Sequence, residues 1–214
     1  MNNVTTEKHF DYIAKDYDDF KHAHNFYFNA LKKNVIRLVP RNARVLDIGC
    51  GTGTILDALE VKLGVGIDIS NQMILSARSK YWYRKTLKFY KHDIQKSPVN
   101  GAFDYILCTD VIEHFTNLQS ALINISKTMN NKTILILTMA NPVWEPFLLL
   151  LEMLRLKMPE GLHLRISEKE ILQLLFKSRL SVIDKKTYVP KLSLPLLESA
   201  GLLYIYQIKK MILY

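Results

Sequence analysis

Three alternating glycines near residue 50 are the feature of the sequence that most clearly indicates a ligand site. Gly49, Gly51 and Gly53 directly follow the apolar segment 45–48. A strand that ends in such glycines can bend sharply, bring bare backbone close to a ligand and present the N–H groups of the next helix to it. The spacing is not the dinucleotide pattern G-x-G-x-x-G, and Asp47 would repel a pyrophosphate, so a ligand with a cationic group is favoured. A tight turn without a ligand is the alternative interpretation.

Acidic residues end the next two apolar segments, at positions where they could recognise a nucleoside. Asp68 ends the segment 64–68, fifteen residues after Gly53, where a carboxylate can accept hydrogen bonds from both hydroxyl groups of a ribose. Asp93 follows the next segment, where it could accept a hydrogen bond from an adenine amino group. Taken alone, Asp68 could instead cap the helix that begins after Ser70. Together with the glycines, these segment ends predict one nucleoside-binding crevice.

The elements that must position these residues alternate between short apolar runs and longer runs with helical spacing. This alternation is typical of βαβ units and a parallel sheet. The predicted strands cover residues 44–48, 64–68, 87–91, 103–108, 133–138, 181–187 and 203–208. The predicted helices cover two segments within 5–39, then 54–62, 71–83, 117–129, a strongly apolar segment 145–156, and a segment to residue 176 that opens with Ser167 and Glu170 as a capping box.

Length and composition indicate one soluble domain. The 214 residues are 49% hydrophobic and 23% charged, which excludes disordered and collagen-like chains. Cys50 and Cys108 lie in apolar segments, and we interpret both as core residues of a protein from a reducing compartment. The apolar run 147–151 is interrupted well before the roughly 20 residues needed to span a bilayer, and the N-terminal segment lacks the apolar core of a secretory signal. We therefore expect a cytoplasmic protein.

The formal charge of +9 would suit binding to nucleic acid, an anionic membrane or an acidic substrate. Residues 151–214 hold 11 basic and 6 acidic side chains, so more than half of the excess lies in the last third of the chain. The one basic stretch with interleaved aromatic residues is 81–85. We interpret most of this charge as a solvated surface.

Four motifs together resemble the class I S-adenosylmethionine-dependent methyltransferases. They are VLDIGCGTG at 45–53, GVGIDIS at 64–70, KHDIQ at 91–95 and FDYILCTDVIEHF at 103–115, in the order of that family. The segment 10–18, FDYIAKDYD, also resembles the N-terminal F-x-x-x-A-x-x-Y-D of the branch that methylates quinones and other small molecules. The resemblance runs from about residue 9 to residue 139.

The resemblance implies an α/β fold with a Rossmann-like, seven-stranded, mostly parallel sheet, helices on both faces and an antiparallel last strand. It predicts a single methyltransferase domain over 1–214. Residues 1–42 would form an N-terminal helical lid, 43–140 the cofactor-binding core, and 141–214 the acceptor-side helices and last strands.

The cofactor implied by the resemblance is S-adenosylmethionine. Asp47 would lie near its methionine amino group, Tyr17 would close over the methionine moiety, and Met73 would pack on adenine, although a plain core role for Met73 is equally compatible with the sequence. The cofactor-binding residues predicted in this way are Tyr17, Asp47, Gly49, Gly51, Gly53, Asp68, Ile69, Met73, Asp93, Ile94 and Thr109.

The implied reaction is an in-line displacement at the sulfonium methyl group, which needs alignment and exclusion of water, and a general base only if the nucleophile must lose a proton. His114 and His163 are the predicted catalytic residues, with a structural role for His114 as the alternative. The run 109–114 also resembles ubiquinone-pathway O-methyltransferases, in which two glutamates and a histidine are associated with a divalent cation. Asp110 replaces the first glutamate here, and we predict no metal site, with Mg²⁺ held by the shorter carboxylate through water as the alternative.

The acceptor predicted from composition is a small, largely apolar molecule that enters beside the apolar segment 144–156, and a lipid-like acceptor is compatible with that composition. A helix buried under a C-terminal cover is the alternative interpretation of this segment. Basic residues near that segment also suit peripheral contact with an anionic membrane. A nucleic-acid acceptor is disfavoured because no appended RNA-binding module is recognisable. An RNA or protein methyltransferase and a non-catalytic S-adenosylmethionine-binding protein are the alternative functions.

Overall fold

One sheet of seven strands forms the centre of the computed structural model, which describes residues 3–19, 25–140, 166–188 and 203–211. The strands are β1 (Arg44–Ile48), β2 (Leu63–Asp68), β3 (Leu87–Lys91), β4 (Tyr105–Cys108), β5 (Ile134–Ala140), β6 (Leu180–Tyr188) and β7 (Leu203–Lys210). The helices are α1 (Asn3–Ile13), α2 (Asn25–Leu38), α3 (Thr54–Asp57), α4 (Asn71–Lys80), α5 (Leu118–Thr128) and α6 (Glu168–Lys177), with a 3-10 turn at Ile112–His114. The seven predicted strands are thus confirmed.

The strand order β3-β2-β1-β4-β5-β7-β6 is that of a doubly wound sheet. β1 to β5 pair in parallel, whereas β7 runs antiparallel to both β5 and β6. The predicted antiparallel last strand is therefore confirmed. The order reverses between β1 and β4, and the carboxyl ends of strands at such a switch point form the crevice in which doubly wound folds bind ligands.

Both faces of the sheet are covered at the central strands, as their apolar sequences predicted, whereas the edge strand β3 leaves Lys88 and Tyr90 exposed. Val45 and Leu107 face a cluster that includes side chains of α2, α3 and α4. Leu46 and Ile106 face the opposite cluster, to which α5 and α6 contribute. Alternate residues of a strand thereby serve two cores.

Two helices end earlier than predicted because the chain turns back to reach the next strand. α3 stops at Asp57, and backbone bonds from Asn42 to Glu60 and from Lys62 to Ala43 draw the following residues alongside β1. α4 ends at Lys80, and the next residue, Tyr81, turns its side chain into the core. α6 begins with the predicted capping box, and the predicted helix 145–156 lies outside the described residues.

Of the predicted lid, the structure places only the first part over the sheet edge where the strands end. Phe10, Ile13, Ala14 and Tyr17 form a small cluster with Met73 at the start of α4. α2 belongs instead to a layer of the sheet, because Leu31 and Val35 lie in one of the two main clusters. No helix among the described residues is long and apolar enough to cross a membrane.

Candidate functional site

The loop between β1 and α3 has a backbone that only glycine accommodates. Gly49 and Gly53 have φ angles of 69° and 82°, in the left-handed region. A Cβ atom on Gly49 would lie 2.4 Å from Cγ2 of Val111, and one on Gly53 would lie 2.7 Å from the ring of Phe89. The predicted glycine loop is therefore shaped by close contacts with the neighbouring strand ends as well as by its own turns.

Asp68 connects this loop to the next helix. One carboxylate oxygen accepts a hydrogen bond from the backbone N–H of Gly51 at 2.9 Å, and the other accepts from the N–H of Ser70 at 2.9 Å. Ser70 in turn caps α4 by accepting from Met73 N–H at 3.1 Å. A carboxylate offers about four acceptor positions, so the fixed Asp68 is suited to receive the hydroxyl groups of a diol as well.

A cleft, which we call the main cleft, runs along the carboxyl ends of the strands beneath the N-terminal segment. It brings together nine of the predicted site residues, namely Tyr17, Gly49, Gly51, Asp68, Ile69, Met73, Asp93, Ile94 and His114. Asp47 and Thr109 line a smaller cavity, which shares Tyr17, Gly49 and Asp110 with the main cleft. Gly53 lines neither space and packs on Phe89 instead. His163 lies outside the described residues.

Acidic side chains fasten the N-terminal segment over the main cleft. Asp11 accepts hydrogen bonds from Ser70 Oγ at 2.6 Å and from Gln72 N–H at 3.0 Å. Asp18 accepts from Thr52 Oγ1 in the glycine loop at 2.6 Å and pairs with Lys80 Nζ at 2.8 Å.

A third contact of the same kind joins Glu7 in α1 to Lys91 Nζ, at 2.5 Å. Tyr17, held between these contacts, reaches within 3.2 Å of the position that a Cβ on Gly51 would occupy. From here on we call this shorter segment, residues 3–19, the lid.

The carboxyl ends of β1 and β4 carry a concentration of negative charge. Asp47 is 1% exposed, and Asp110 and Glu113 follow β4. Burial, with the nearby carboxylates of Glu113, Asp47 and Asp110 next in effect, raises the pKa of the Cys108 thiol well above its usual value. The negative potential that these groups create favours a cationic ligand beside the glycine loop.

The turn after β4 holds its backbone in an uncommon conformation. Asp110 has a φ of 51°, and Thr138 Oγ1 on β5 accepts from its N–H at 3.0 Å and donates to its Oδ1 at 2.9 Å. His114 ends the following 3-10 turn, and its ring lies edge-on to the ring of Phe10 in the lid, 5.0 Å between centroids. Asp110, Glu113 and His114 form no group that could hold a metal ion, and no such group of three occurs elsewhere in the described residues.

The loop after β3 also lines the main cleft. Asp93 accepts from Gln95 N–H at 3.0 Å, and Asn124 Nδ2 in α5 donates to the carbonyl of Ile94 at 2.8 Å. The side-chain carbonyl of Gln95 accepts from Asn117 N–H at 2.8 Å. These bonds fix the loop in which an adenine edge was predicted to bind.

Several residues that line the main cleft were not predicted as site residues from the sequence: Thr6, Phe10, Ile48, His92, Gln95, Asp110, Val111 and Phe115. Gln95 and Val111 lie within the motifs at 91–95 and 103–115, so the sequence contained a signal by which both could have been predicted. Thr6 lies in a helix whose position over the cleft depends on contacts distant in sequence, so nothing in the sequence near it indicated its place.

A model of a family described as a methyltransferase domain matches residues 22–183. The ubiquinone biosynthesis O-methyltransferase of Bartonella quintana is 26% identical over 168 residues, which are 73% of this chain and 68% of that protein. The malonyl-[acyl-carrier protein] O-methyltransferase of Legionella pneumophila is 31% identical over 112 residues, or 50% of this chain. The chain spans only 39% of the length of that relative.

Two solved structures share the fold at low sequence identity. A SAM-dependent methyltransferase from Thermotoga maritima matches with a TM-score of 0.74 and 19% identity, covering 96% of this chain and 99% of that one. The magnesium protoporphyrin IX methyltransferase of Synechocystis, solved with bound SAH, matches with a TM-score of 0.62 and 18% identity, covering 90% and 85% of the two chains.

Proposed function

The chain belongs to the methyltransferase domain family, whose model matches residues 22–183, and from this premise we propose that it binds S-adenosylmethionine in the main cleft and transfers the methyl group to a small, largely apolar acceptor. This proposal rests on one observation: nine of the predicted cofactor-binding and catalytic residues line a single cleft at the switch point of the sheet. The relatives named above are themselves methyltransferases.

The chemistry of the described residues fits each part of that cofactor. The ammonium and sulfonium groups would lie toward the carboxylates around Cys108, where the potential is negative. Asp68, oriented by two backbone N–H groups, would accept the ribose hydroxyls. The adenine would lie between Met73 and the loop of Asp93 and Ile94, all of which line the main cleft.

The reaction requires a nucleophile in line with the methyl–sulfur bond. When bound, the cofactor supplies an electrophilic methyl group: the lone pair of an oxygen, nitrogen or carbon atom forms the new bond, and the electrons of the broken bond return to sulfur. The lid excludes water from the cleft and holds the methionine end in place through Tyr17. His114, which lines the same cleft, would take the proton that the nucleophile loses.

The acceptor is proposed from two observations about the sequence and its relatives. The segment 144–156, which follows β5, is strongly apolar, and a chain that follows a strand at the carboxyl edge is placed to form an acceptor pocket. Both sequence relatives are named as O-methyltransferases, so an oxygen nucleophile is the first to test. His163, in the sequence after that segment, is the second candidate base.

Calorimetry with S-adenosylhomocysteine and transfer assays with methyl-labelled S-adenosylmethionine test the proposal together. We expect binding by the wild-type chain and label transfer to an apolar phenol, a quinol or a carboxylic acid, with RNA and protein unlabelled. The absence of binding would overturn the cofactor assignment. Binding with label found only in RNA or protein would overturn the small-molecule acceptor, and binding without any transfer would indicate a sensor.

A further inference from the structure

We propose that residues 78–91, which we call the basic edge, bind the surface of an anionic phospholipid membrane. This segment covers the end of α4, the turn that follows it and the edge strand β3. It contains six basic residues and no acidic residue: Arg78, Lys80, Arg84, Lys85, Lys88 and Lys91. Its place at the border of the sheet leaves this charge on an outer surface.

Acidic residues from elsewhere in the chain neutralise half of these cations. Lys80 pairs with Asp18, Arg84 with Asp57 and Lys91 with Glu7. Arg78, Lys85 and Lys88 have no acidic partner within ion-pair distance in the described part of the chain. The Nε of Arg78 donates to the carbonyl of Phe89 at 2.8 Å, and its guanidinium lies 5.9 Å from the centroid of the Tyr90 ring. The basic edge therefore presents three uncompensated positive charges.

Aromatic side chains are exposed among these cations. Trp82 is 82% exposed, Tyr83 57% and Tyr90 47%. Tryptophan and tyrosine combine an apolar ring with a polar group, and this combination favours the boundary between lipid headgroups and acyl chains. Rings exposed to this extent contribute little hydrophobic stabilisation to the fold.

The turn that carries Trp82 and Tyr83 is firmly held from below. Tyr81 is buried against Phe89, with ring centroids 6.1 Å apart. Arg84 donates to Asp57 Oδ1 at 2.7 Å and, through its backbone N–H, to the carbonyl of Tyr81 at 2.9 Å. The aromatic pair is thus presented by a fixed turn, and little conformational freedom is lost when it inserts.

The shape of the surface favours a membrane over a nucleic acid. Proteins that bind single strands stack the bases on aromatic rings that line a basic groove. Trp82 has four fifths of its surface exposed and lines neither the main cleft nor the smaller cavity. An exposed aromatic pair flanked by cations matches the insertion of rings between anionic headgroups.

Trp82, Tyr83, Lys85 and Lys88 do not line the main cleft, whereas Lys80 and Lys91 of the basic edge pair with Asp18 and Glu7 of the lid. The turn at 81–86 enters β3 and so lies at the amino ends of the parallel strands, whereas the cleft lies at their carboxyl ends. Membrane binding can therefore be measured and removed while cofactor binding is followed independently.

The test uses the full chain and two kinds of vesicle, phosphatidylcholine alone and phosphatidylcholine with phosphatidylglycerol. Trp144→Phe leaves Trp82 as the one tryptophan of the chain, since the sequence has two. We expect its emission to shift to shorter wavelength, and the protein to sediment with the vesicles, when phosphatidylglycerol is present and not with phosphatidylcholine alone. Lys85→Glu/Lys88→Glu should weaken binding at least about tenfold, and Trp82→Ala/Tyr83→Ala should also weaken it.

The matched control is Lys127→Glu/Lys132→Glu, which reverses two exposed charges at α5 and the turn before β5. This variant should bind the vesicles like the wild type. Retained binding in the Lys85/Lys88 variant, equal binding to neutral vesicles, or binding of an RNA oligonucleotide through these residues without vesicle binding would overturn the proposal. S-adenosylhomocysteine affinity of each variant checks that it is folded. If the wild-type chain bound vesicles but did not bind S-adenosylhomocysteine, that result would count against the proposed function and not against the membrane site.

Discussion

Asp68 is the residue at which the cofactor proposal is most directly tested. It orients the glycine loop and the start of α4 at once, through Gly51 and Ser70. Asp68→Ala should weaken S-adenosylmethionine and S-adenosylhomocysteine to a similar extent, by roughly 30-fold or more, because a charged acceptor is lost and its donors are left without it. Calorimetry with both ligands measures this effect.

Asp184→Ala is the control for that substitution, because Asp184 lies on β6, away from the cleft. Its affinity should equal that of the wild type. An unchanged affinity in the Asp68 variant would refute the ribose assignment.

Two substitutions should distinguish a catalytic role of His114 from a packing role. If it takes the proton of the acceptor, His114→Ala should lower kcat by about 100-fold with little change in cofactor affinity. Phe10→Leu alters the ring contact of His114 in the lid without removing the imidazole and should lower kcat far less. Steady-state kinetics with the identified acceptor measures both effects. A wild-type kcat in the alanine variant would show that the role of His114 is structural.

Among the secondary-structure elements, the lid should control how fast a ligand leaves the main cleft. Asp18 links it to both the glycine loop and α4. Asp18→Ala should weaken S-adenosylhomocysteine about tenfold and speed its release, since Tyr17 is then less firmly held over the loop. The neighbouring Asp19→Ala changes an exposed carboxylate and should have no such effect. Stopped-flow displacement measures the release rate, and equal rates in the two variants would refute the role of Asp18 in holding the lid closed.

The central strands β1, β2, β4 and β5 could be predicted from the sequence because a strand buried on both faces must be mostly apolar. The ends of α3 and α4 could not, since they depend on bonds such as Lys62 to Ala43 that join residues far apart. The same dependence on contacts distant in sequence decides which site residues could be predicted. Gly49 and Asp68 lie in local motifs, whereas the contacts of Thr6 and Asp18 form only when the lid meets the core.

For the molecule as a whole, stability should fall at alkaline pH in part through Cys108. Burial first, and nearby carboxylates second, raise its pKa well above 9.0. The folded state therefore keeps a proton that the unfolded chain releases, so this contribution is present below pH 9.0 and is lost as the pH rises above it. Urea unfolding under reducing conditions at about pH 8 and about pH 10 should show a smaller loss in Cys108→Ala than in the wild type. Equal losses would show that other groups account for the change.

The three acids of the lid contact three different places: Lys91 at the end of β3, the first turn of α4, and the glycine loop with Lys80. A lid joined at several points opens as a unit, because releasing one contact leaves the others in place. Two of the contacts are ion pairs at the surface, and mobile ions weaken such pairs. The ionic strength of the surroundings thereby becomes a control on how often the cleft opens, and so on how fast cofactor and product exchange.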